Sequence, residues 1–290
     1  MAVSKGALLA AASAVTYGSL GVFAKLALAE GWNIPSLLAA RFLFAGLTVL
    51  PLALRAGGGW RGVGGAFALG AVGYAGTTAL YFPSVALLPA AIASFLLYLS
   101  PVLVAFLSWA YLRERLGARG WGALALAVLG LALLSSGALR GTLSVLGVLL
   151  GAGSAVVYAV TVLVSRGVAQ RMHWARLSLG VCAGALASYV AFSLATQQLA
   201  LPATPRGLLW AAGLGIVGTG IPLALFMAAL AHISASQVSV ISTLEPVSTL
   251  VLAAVFLAEV PGALGVAGGF LIAVGAAIVA SQQRAVAPHE

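Results

Sequence analysis

The chain has 290 residues, of which 62% are hydrophobic and only 7% are charged, whereas soluble domains carry roughly 25% charged residues. A water-soluble fold needs a solvated exterior, so this composition excludes an ordinary soluble domain and predicts that apolar surface faces lipid. The formal charge of +9 does not indicate a nucleic-acid partner, because the basic residues are scattered between apolar runs and form no basic stripe.

The apolar runs are long and unbroken, which favours spanning helices over the alternating strands of a membrane barrel. A spanning helix needs roughly 20 apolar residues. Polar and Gly/Pro breaks divide the sequence into ten such runs, which predicts an all-α integral membrane protein with short connections. In chain order the predicted helices are Gly6–Ala29, Pro35–Leu54, Val63–Leu87, Ala91–Leu112, Gly120–Ala138, Leu143–Val164, Leu177–Ala195, Gly207–Leu230, Ser236–Leu257 and Leu264–Ser281.

Basic residues fall mainly on one side of this arrangement. If the N-terminus lies inside, only Arg140 and Arg206 are placed between helices on the outer side. Positive residues concentrate on the cytoplasmic side of membrane proteins, so we expect a bacterial inner-membrane protein with both termini in the cytoplasm. The residues on the inner side are Lys5, Arg55, Arg61, Arg113, Arg115, Arg119, Arg166, Arg171, Arg176 and Arg284.

The sequence contains an internal repeat. Residues 100–114 read SPVLVAFLSWAYLRE and residues 245–259 read EPVSTLVLAAVFLAE, so Pro101 aligns with Pro246 and Glu114 with Glu259. Further matches follow along the chain: Gly117, Gly120 and Gly130 align with Gly262, Gly265 and Gly275, and SAVTY at 13–17 aligns with SAVVY at 154–158.

The repeat predicts two five-helix units, residues 1–141 and residues 142–290. Because five is an odd number, the second unit must enter the membrane inverted. Inverted repeats are typical of transporters, in which the substrate site lies near the midplane between the two units.

This pattern of paired prolines, closing glutamates and Gly-rich last helices resembles the drug/metabolite transporter superfamily, specifically its ten-helix EamA-type branch. The resemblance covers nearly the whole chain. It implies an exporter of amino acids or other metabolites, and in length and layout the chain is most similar to the YddG-type exporters of aromatic amino acids.

Two charged residues lie well inside predicted helices. Glu245 is near mid-depth of the ninth, and a charge there costs roughly 2.5–3.5 kcal/mol, so it should face a cavity or a partner. It could accept a substrate ammonium or a proton, or it could brace, as a neutral acid, the helix that Pro246 interrupts. Arg41 in the second helix could hold a substrate carboxylate or extend outward to the interface.

Tyrosine and hydroxyl side chains follow single faces of the third, fourth and ninth predicted helices at spacings of three and four residues. We predict that these faces line a cavity suited to an amphipathic, partly aromatic zwitterion, and that Pro101 and Pro246 act as helix hinges. The predicted substrate-binding residues are Tyr17, Arg41, Tyr74, Thr78, Tyr81, Ser94, Tyr98, Tyr158, Phe226, Ser242 and Glu245.

The sequence therefore predicts a secondary transporter that exports amino acids or related metabolites by alternating access. Efflux of organic cations is the alternative, since it needs only the buried acid, and an ion channel fits less well. The chain has no Asp, one Cys and no phosphate-binding loop, so we expect no enzyme activity, ATP hydrolysis, cofactor or metal. The expected partners are a small molecule and the bilayer. Small-residue GxxxG spacings such as Gly180–Gly184 leave monomer and homodimer open.

Overall fold

The computed structural model describes residues 4–57, 59–114, 116–136, 143–202, 204–257 and 262–281. Within these ranges, ten helices are long and apolar enough to cross a membrane, which confirms the predicted all-α architecture. The third and fourth helices coincide with the predicted ranges, and the ends of the others differ from the predicted ones by at most five residues. The helices are α1 (Lys5–Ala29), α2 (Ile34–Arg55), α3 (Val63–Leu87), α4 (Ala91–Leu112), α5 (Ala118–Ser135), α6 (Val145–Ala169), α7 (Trp174–Ala195), α8 (Pro205–His232), α9 (Ala235–Phe256) and α10 (Ala263–Ala280).

Several helices begin where a polar side chain caps the first turn. Asn33, Ser144 and Thr204 accept hydrogen bonds from backbone N–H groups three residues ahead, at the starts of α2, α6 and α8. Ser234 and Gln237 form a reciprocal capping box at the start of α9. Such caps satisfy N–H groups that have no partner inside the helix, so they fix where each apolar run starts to be helical.

The helices pair in the pattern expected of two inverted units. Helix α5 packs on α10, its repeat partner, and α2 packs on α7. A Cβ added at Gly130 would lie 2.5 Å from the Gly268 carbonyl, and one added at Gly275 would lie 2.6 Å from that of Ala123. The two contacts run in opposite order along the helices, so α5 and α10 are antiparallel. Helix α1 packs on α8 as α6 packs on α3.

The glycine spacing Gly180–Gly184 serves packing within the chain. A Cβ added at Gly180 would lie 2.5 Å from the Cβ of Ala66, and one added at Gly184 would lie 1.9 Å from the carbonyl oxygen of Phe67. These glycines let α7 approach α3 at backbone distance. Both glycines therefore form contacts between helices of the same chain, and they do not decide between monomer and homodimer.

Helices α4 and α9 break at equivalent points beside the two repeat prolines. One helical segment of α4 ends at Tyr98 and the next begins at Ser100, while α9 has segments that end at Ser242 and begin at Leu244. Proline has no N–H, so Pro101 and Pro246 cannot complete the ladder to the carbonyls four residues earlier. Both prolines lie just after the break, where the predicted hinges were placed.

Helices α3 and α8 each contain a wide π-type turn, at Leu69–Tyr74 and Ile216–Gly220. A π-turn carries one extra residue and is frequent at functional sites. The two turns occupy corresponding parts of the inverted units, and both lie next to the cavity described below.

One end of the bundle, here called the N-terminal face, contains the start of α1. At this face Arg176 of α7 donates to the backbone carbonyls of Ala56, Gly57 and Gly59 after α2. Arg140, Arg115, Glu259, Arg284 and the predicted boundary between residues 141 and 142 lie outside the described residues. The predicted division into two units at that boundary stays a prediction.

An ion pair joins the two units at the N-terminal face. The Nε of Arg166 in α6 lies 3.2 Å from Oε1 of Glu114 at the end of α4. The other carboxylate oxygen of Glu114 accepts the backbone N–H of Ala235 at 3.1 Å, and Arg166 also donates to the carbonyl of Leu230. The network connects α4 of the first unit with α6, α8 and α9 of the second.

Candidate substrate-binding cavity

A cavity of about 170 Å³ lies at the centre of the bundle, where six helices from both units meet. Tyr17, Tyr74, Tyr158 and Glu245 each lie close to the middle of their helices, so the cavity is near mid-depth. The side chains lining it are Tyr17 and Leu20 of α1, Arg41 of α2, Tyr74, Thr77 and Thr78 of α3, Leu97, Tyr98, Ser100 and Pro101 of α4, Tyr158 of α6, and Ser239, Ser242, Thr243 and Glu245 of α9.

The carboxylate in the cavity belongs to Glu245. It lies in the first turn of the helical segment Leu244–Leu257, directly after the break in α9. The N-terminus of a helix carries partial positive charge, which favours an anion there. The hydroxyl of Tyr98 donates to Oε1 of Glu245 across a distance of 3.1 Å. Glu245 is thus held by Tyr98 of α4 and lines the cavity; whether it accepts a substrate ammonium or a proton, or braces the helix as a neutral acid, stays a prediction.

Arg41 is the basic group of the cavity. Its Nε donates to Oγ1 of Thr219 at 2.7 Å, and the same hydroxyl donates to the carbonyl of Leu214 at 2.9 Å across the π-turn of α8. Among the described residues no other side chain or carbonyl accepts from the guanidinium, and Arg41 forms no ion pair with Glu245. The side chain is therefore anchored inside the bundle and does not extend to the interface.

The hydroxyl groups of the lining are oriented by their own helices. Thr77, Thr78 and Ser242 each donate to the carbonyl four residues earlier, at 2.8, 2.9 and 2.9 Å. Thr243 donates to the carbonyl of Val240 at 2.6 Å. With their hydrogens committed, these oxygens can still accept hydrogen bonds. The polar part of the wall is therefore rich in acceptors, with Arg41 as its strong donor.

Eight of the eleven predicted binding residues line this cavity, namely Tyr17, Arg41, Tyr74, Thr78, Tyr98, Tyr158, Ser242 and Glu245. Tyr81, Ser94 and Phe226 do not. The hydroxyls of Tyr81 and Ser94 bond each other at 2.8 Å, and Phe226 is only 3% exposed within the hydrophobic core. Pro101 lines the cavity and Pro246 does not. That any of these residues binds substrate stays a prediction.

The predicted binding residues omitted one anchoring contact and six lining residues, namely the polar Thr77, Ser100, Ser239 and Thr243 and the apolar Leu20 and Leu97. Leu20 and Leu97 occur inside apolar runs, where nothing distinguishes a cavity-facing leucine from a lipid-facing one. Thr219 holds Arg41 from a position 178 residues away. The π-turn that presents Thr219 lies in a Gly-rich stretch whose sequence indicates only close packing.

Comparisons with known proteins agree with this architecture. The model of the EamA-like transporter family matches residues 4–136 and 145–281. An "Uncharacterized transporter" of Archaeoglobus fulgidus is 27% identical over 270 residues, which cover 92% of this chain and 93% of that protein. A solved structure described as "Crystal structure of protein" has a TM-score of 0.81 at 24% identity and covers 96% of this chain and 98% of its own. At this identity the structural likeness concerns the fold alone.

Proposed function

Because the chain belongs to the EamA-like transporter family, we propose that it is a secondary transporter that exports amino acids or closely related metabolites by alternating access. The observation that carries this proposal is the central cavity, which holds one guanidinium and one carboxylate that do not pair with each other. The family itself points to transport rather than catalysis.

A zwitterion matches both charged groups at once. The carboxylate of an amino acid would bind the guanidinium of Arg41, whose fork geometry suits carboxylates. Its ammonium would bind Glu245 and the acceptor oxygens of the hydroxyl groups on α3 and α9. Each such charge-assisted hydrogen bond contributes about 1.5–3 kcal/mol, so both charged groups are expected to affect affinity strongly.

The remaining wall favours an apolar or aromatic side chain. Tyr17, Tyr74, Tyr98 and Tyr158 contribute rings to a cavity of about 170 Å³. For comparison, an apolar protein cavity of about 150 Å³ holds benzene. The cavity volume supports a small substrate with at most one ring and argues against a large drug-like molecule.

The broken helices support alternating access as the transport mechanism. Helices α4 and α9 both contribute to the cavity, and both break next to it at equivalent points of the two units. Bending at Pro101 and Pro246 would let the units rock about the bound substrate. The chain has no nucleotide-binding segment, so we expect transport to be driven by a gradient and not by ATP.

Efflux of organic cations is a second candidate function. It is favoured by Glu245 together with the acceptor-rich hydroxyl wall, since a monovalent amine needs no basic partner. The two functions differ in their use of Arg41, which an amino acid requires and a simple amine does not.

The test is counterflow in liposomes containing the purified protein. A labelled aromatic amino acid and the amine formed by its decarboxylation are compared for the wild type, Arg41→Gln and Glu245→Gln. We expect Arg41→Gln to weaken amino-acid affinity at least tenfold while leaving the amine unaffected, and Glu245→Gln to weaken both. Arg119→Gln, at the exposed start of α5, is the matched control.

The outcomes separate the alternatives. Wild-type exchange of the amine without the amino acid would favour cation efflux. Conductive flux that does not saturate would indicate a channel, and a strict need for ATP would contradict secondary transport. If Arg41→Gln and Glu245→Gln both retain wild-type affinity for the amino acid, the central cavity is not its binding site.

We also propose that the protein resides in a bacterial inner membrane with its N-terminal face in the cytoplasm. The support is the excess of Lys and Arg at the helix ends on that side. A reporter enzyme that is active only in the cytoplasm should be active when it is fused after Glu290. Activity of a periplasm-dependent reporter at the same position would reverse the proposed orientation.

A further inference from the structure

A second cavity, which transport does not explain, opens at the N-terminal face. It has a volume of about 760 Å³ and lies between the start of α3 and the ends of α4 and α6. We call it the arginine cleft, because Arg61 and Arg171 are its charged lining residues. Apart from Tyr111, the rest of its wall is apolar or glycine, and no acidic side chain among the described residues lines it.

The two arginines are available to a ligand. Both are exposed, and neither guanidinium has a hydrogen-bond or ion-pair partner within the described part of the chain. The acid at this end of α4, Glu114, is already engaged by Arg166 and by the backbone of Ala235. The cleft therefore presents positive charge with no counter-ion from the protein.

The apolar part of the cleft extends from the arginines along the outer surface of α6 toward the middle of that helix, where Val160 and Val164 are each 47% exposed. On α6 its wall runs from Arg171 back to Val160, a length of about 16 Å at roughly 1.5 Å per residue. Leu107 and Leu112 of α4 form the opposite wall. A polar entrance followed by a long apolar groove has the shape of a phospholipid, with the head group outside and an acyl chain within.

We propose that the arginine cleft binds an anionic phospholipid, with its phosphate on Arg61 and Arg171 and one acyl chain along α4 and α6. Guanidinium groups bind phosphate oxygens in bidentate fashion. Basic pockets between transmembrane helices bind anionic head groups in the same way. The site is separate from the central cavity and does not depend on which substrate is transported.

The cleft offers two independent ways to disrupt the site. The double variant R61Q/R171Q removes the charges. Gly167→Leu fills the apolar part, because a Cβ added at Gly167 meets no atom within 4 Å and the fold can accept the side chain. Each has a matched control outside the cleft: Arg119→Gln on α5, and Gly122→Leu, a helical glycine that also has open space around it.

The experiment measures lipid retained by the full chain after delipidation in detergent, using native mass spectrometry. Dioleoyl phosphatidylglycerol and dioleoyl phosphatidylcholine are titrated separately, and glycerol phosphate and inorganic phosphate serve as head-group probes without acyl chains. We expect at least tenfold tighter binding of phosphatidylglycerol than of phosphatidylcholine. Both R61Q/R171Q and Gly167→Leu should lose this preference, whereas the two controls should keep it.

Equal retention of the two lipids by the wild type would overturn the proposal, as would unchanged binding in both cleft variants. If glycerol phosphate or inorganic phosphate competes as well as the lipid, the arginines form a phosphate site and not a lipid site. Size-exclusion profiles and circular dichroism of each variant distinguish a lost site from a lost fold. Because the readout is binding, failure here leaves the transport proposal untouched.

Discussion

Neutralising Glu114 should destabilise the protein far more than its position at a helix end suggests. Its partner Arg166 has only 2% of its side chain exposed, while the side chain of Glu114 is 20% exposed. In Glu114→Gln the guanidinium stays buried without a counter-ion. The amide can also offer only one acceptor oxygen, although both Arg166 and the N–H of Ala235 need one.

The expected loss follows from those two contacts. Breaking a buried ion pair by removing one partner costs about 3–5 kcal/mol, and an unsatisfied buried donor costs about 1–3 kcal/mol. The contributions overlap and Glu114 is partly solvated, so we expect about 3 kcal/mol for Glu114→Gln. The double variant E114L/R166M removes both charges and should be less destabilised than the sum of the single variants, with a coupling above about 1.5 kcal/mol.

Reversible unfolding in mixed micelles of dodecyl maltoside and SDS, followed by circular dichroism, measures these free energies. Glu30→Gln is the control, because Glu30 accepts a hydrogen bond from Thr204 at the opposite face and forms no ion pair among the described residues. We expect it to cost about 1 kcal/mol or less. A loss below 1 kcal/mol for Glu114→Gln, or additive effects in the double variant, would refute the argument from buried charge.

Three further variants test packing and the geometry of the cavity. Gly184→Ala would place a Cβ 1.9 Å from the Phe67 carbonyl, so its unfolding free energy should fall by about 1–3 kcal/mol, while Gly122→Ala, in open space, should be neutral or slightly stabilising. Thr219→Val keeps the side-chain shape but removes the acceptor of the Arg41 Nε, and the half-saturating amino-acid concentration should rise about fivefold to tenfold in liposomes. Tyr98→Phe removes the hydrogen bond to Glu245, and we expect the half-saturating amino-acid concentration to rise here as well, while circular dichroism shows intact folding. Unchanged transport kinetics would show that this bond does not position the carboxylate.

The fold could be predicted because the apolar runs, the internal repeat and the prolines all indicate the same architecture. Apolar runs long enough to cross a membrane predict the ten helices. The matched register of Pro101 and Pro246 gives the repeat, and the odd helix count gives its inversion. The breaks in α4 and α9 fall beside those prolines because a proline lacks the N–H that a helix needs. This effect is local, so it can be predicted from the position of the proline in the sequence.

Contacts between residues on different helices were harder to predict from the sequence. Tyr81 and Ser94 share helix faces with the cavity residues, but their hydroxyls meet each other, and only the angle between α3 and α4 decides this. The pairing of Glu114 with Arg166 joins residues 52 positions apart. Sequence alone placed both at the inner ends of helices without linking them, since most helix ends on that side carry charged residues.

The π-turns of α3 and α8 decide which helix faces are turned toward the cavity. Each adds one residue to a helix, and so changes the orientation of the side chains beyond it by about 100° relative to an uninterrupted helix. In α8 the turn itself contains Thr219, whose hydroxyl accepts from the Nε of Arg41. Beyond Leu69–Tyr74 and Ile216–Gly220, the regular spacing of three and four residues therefore cannot be extended from the first half of either helix to the second.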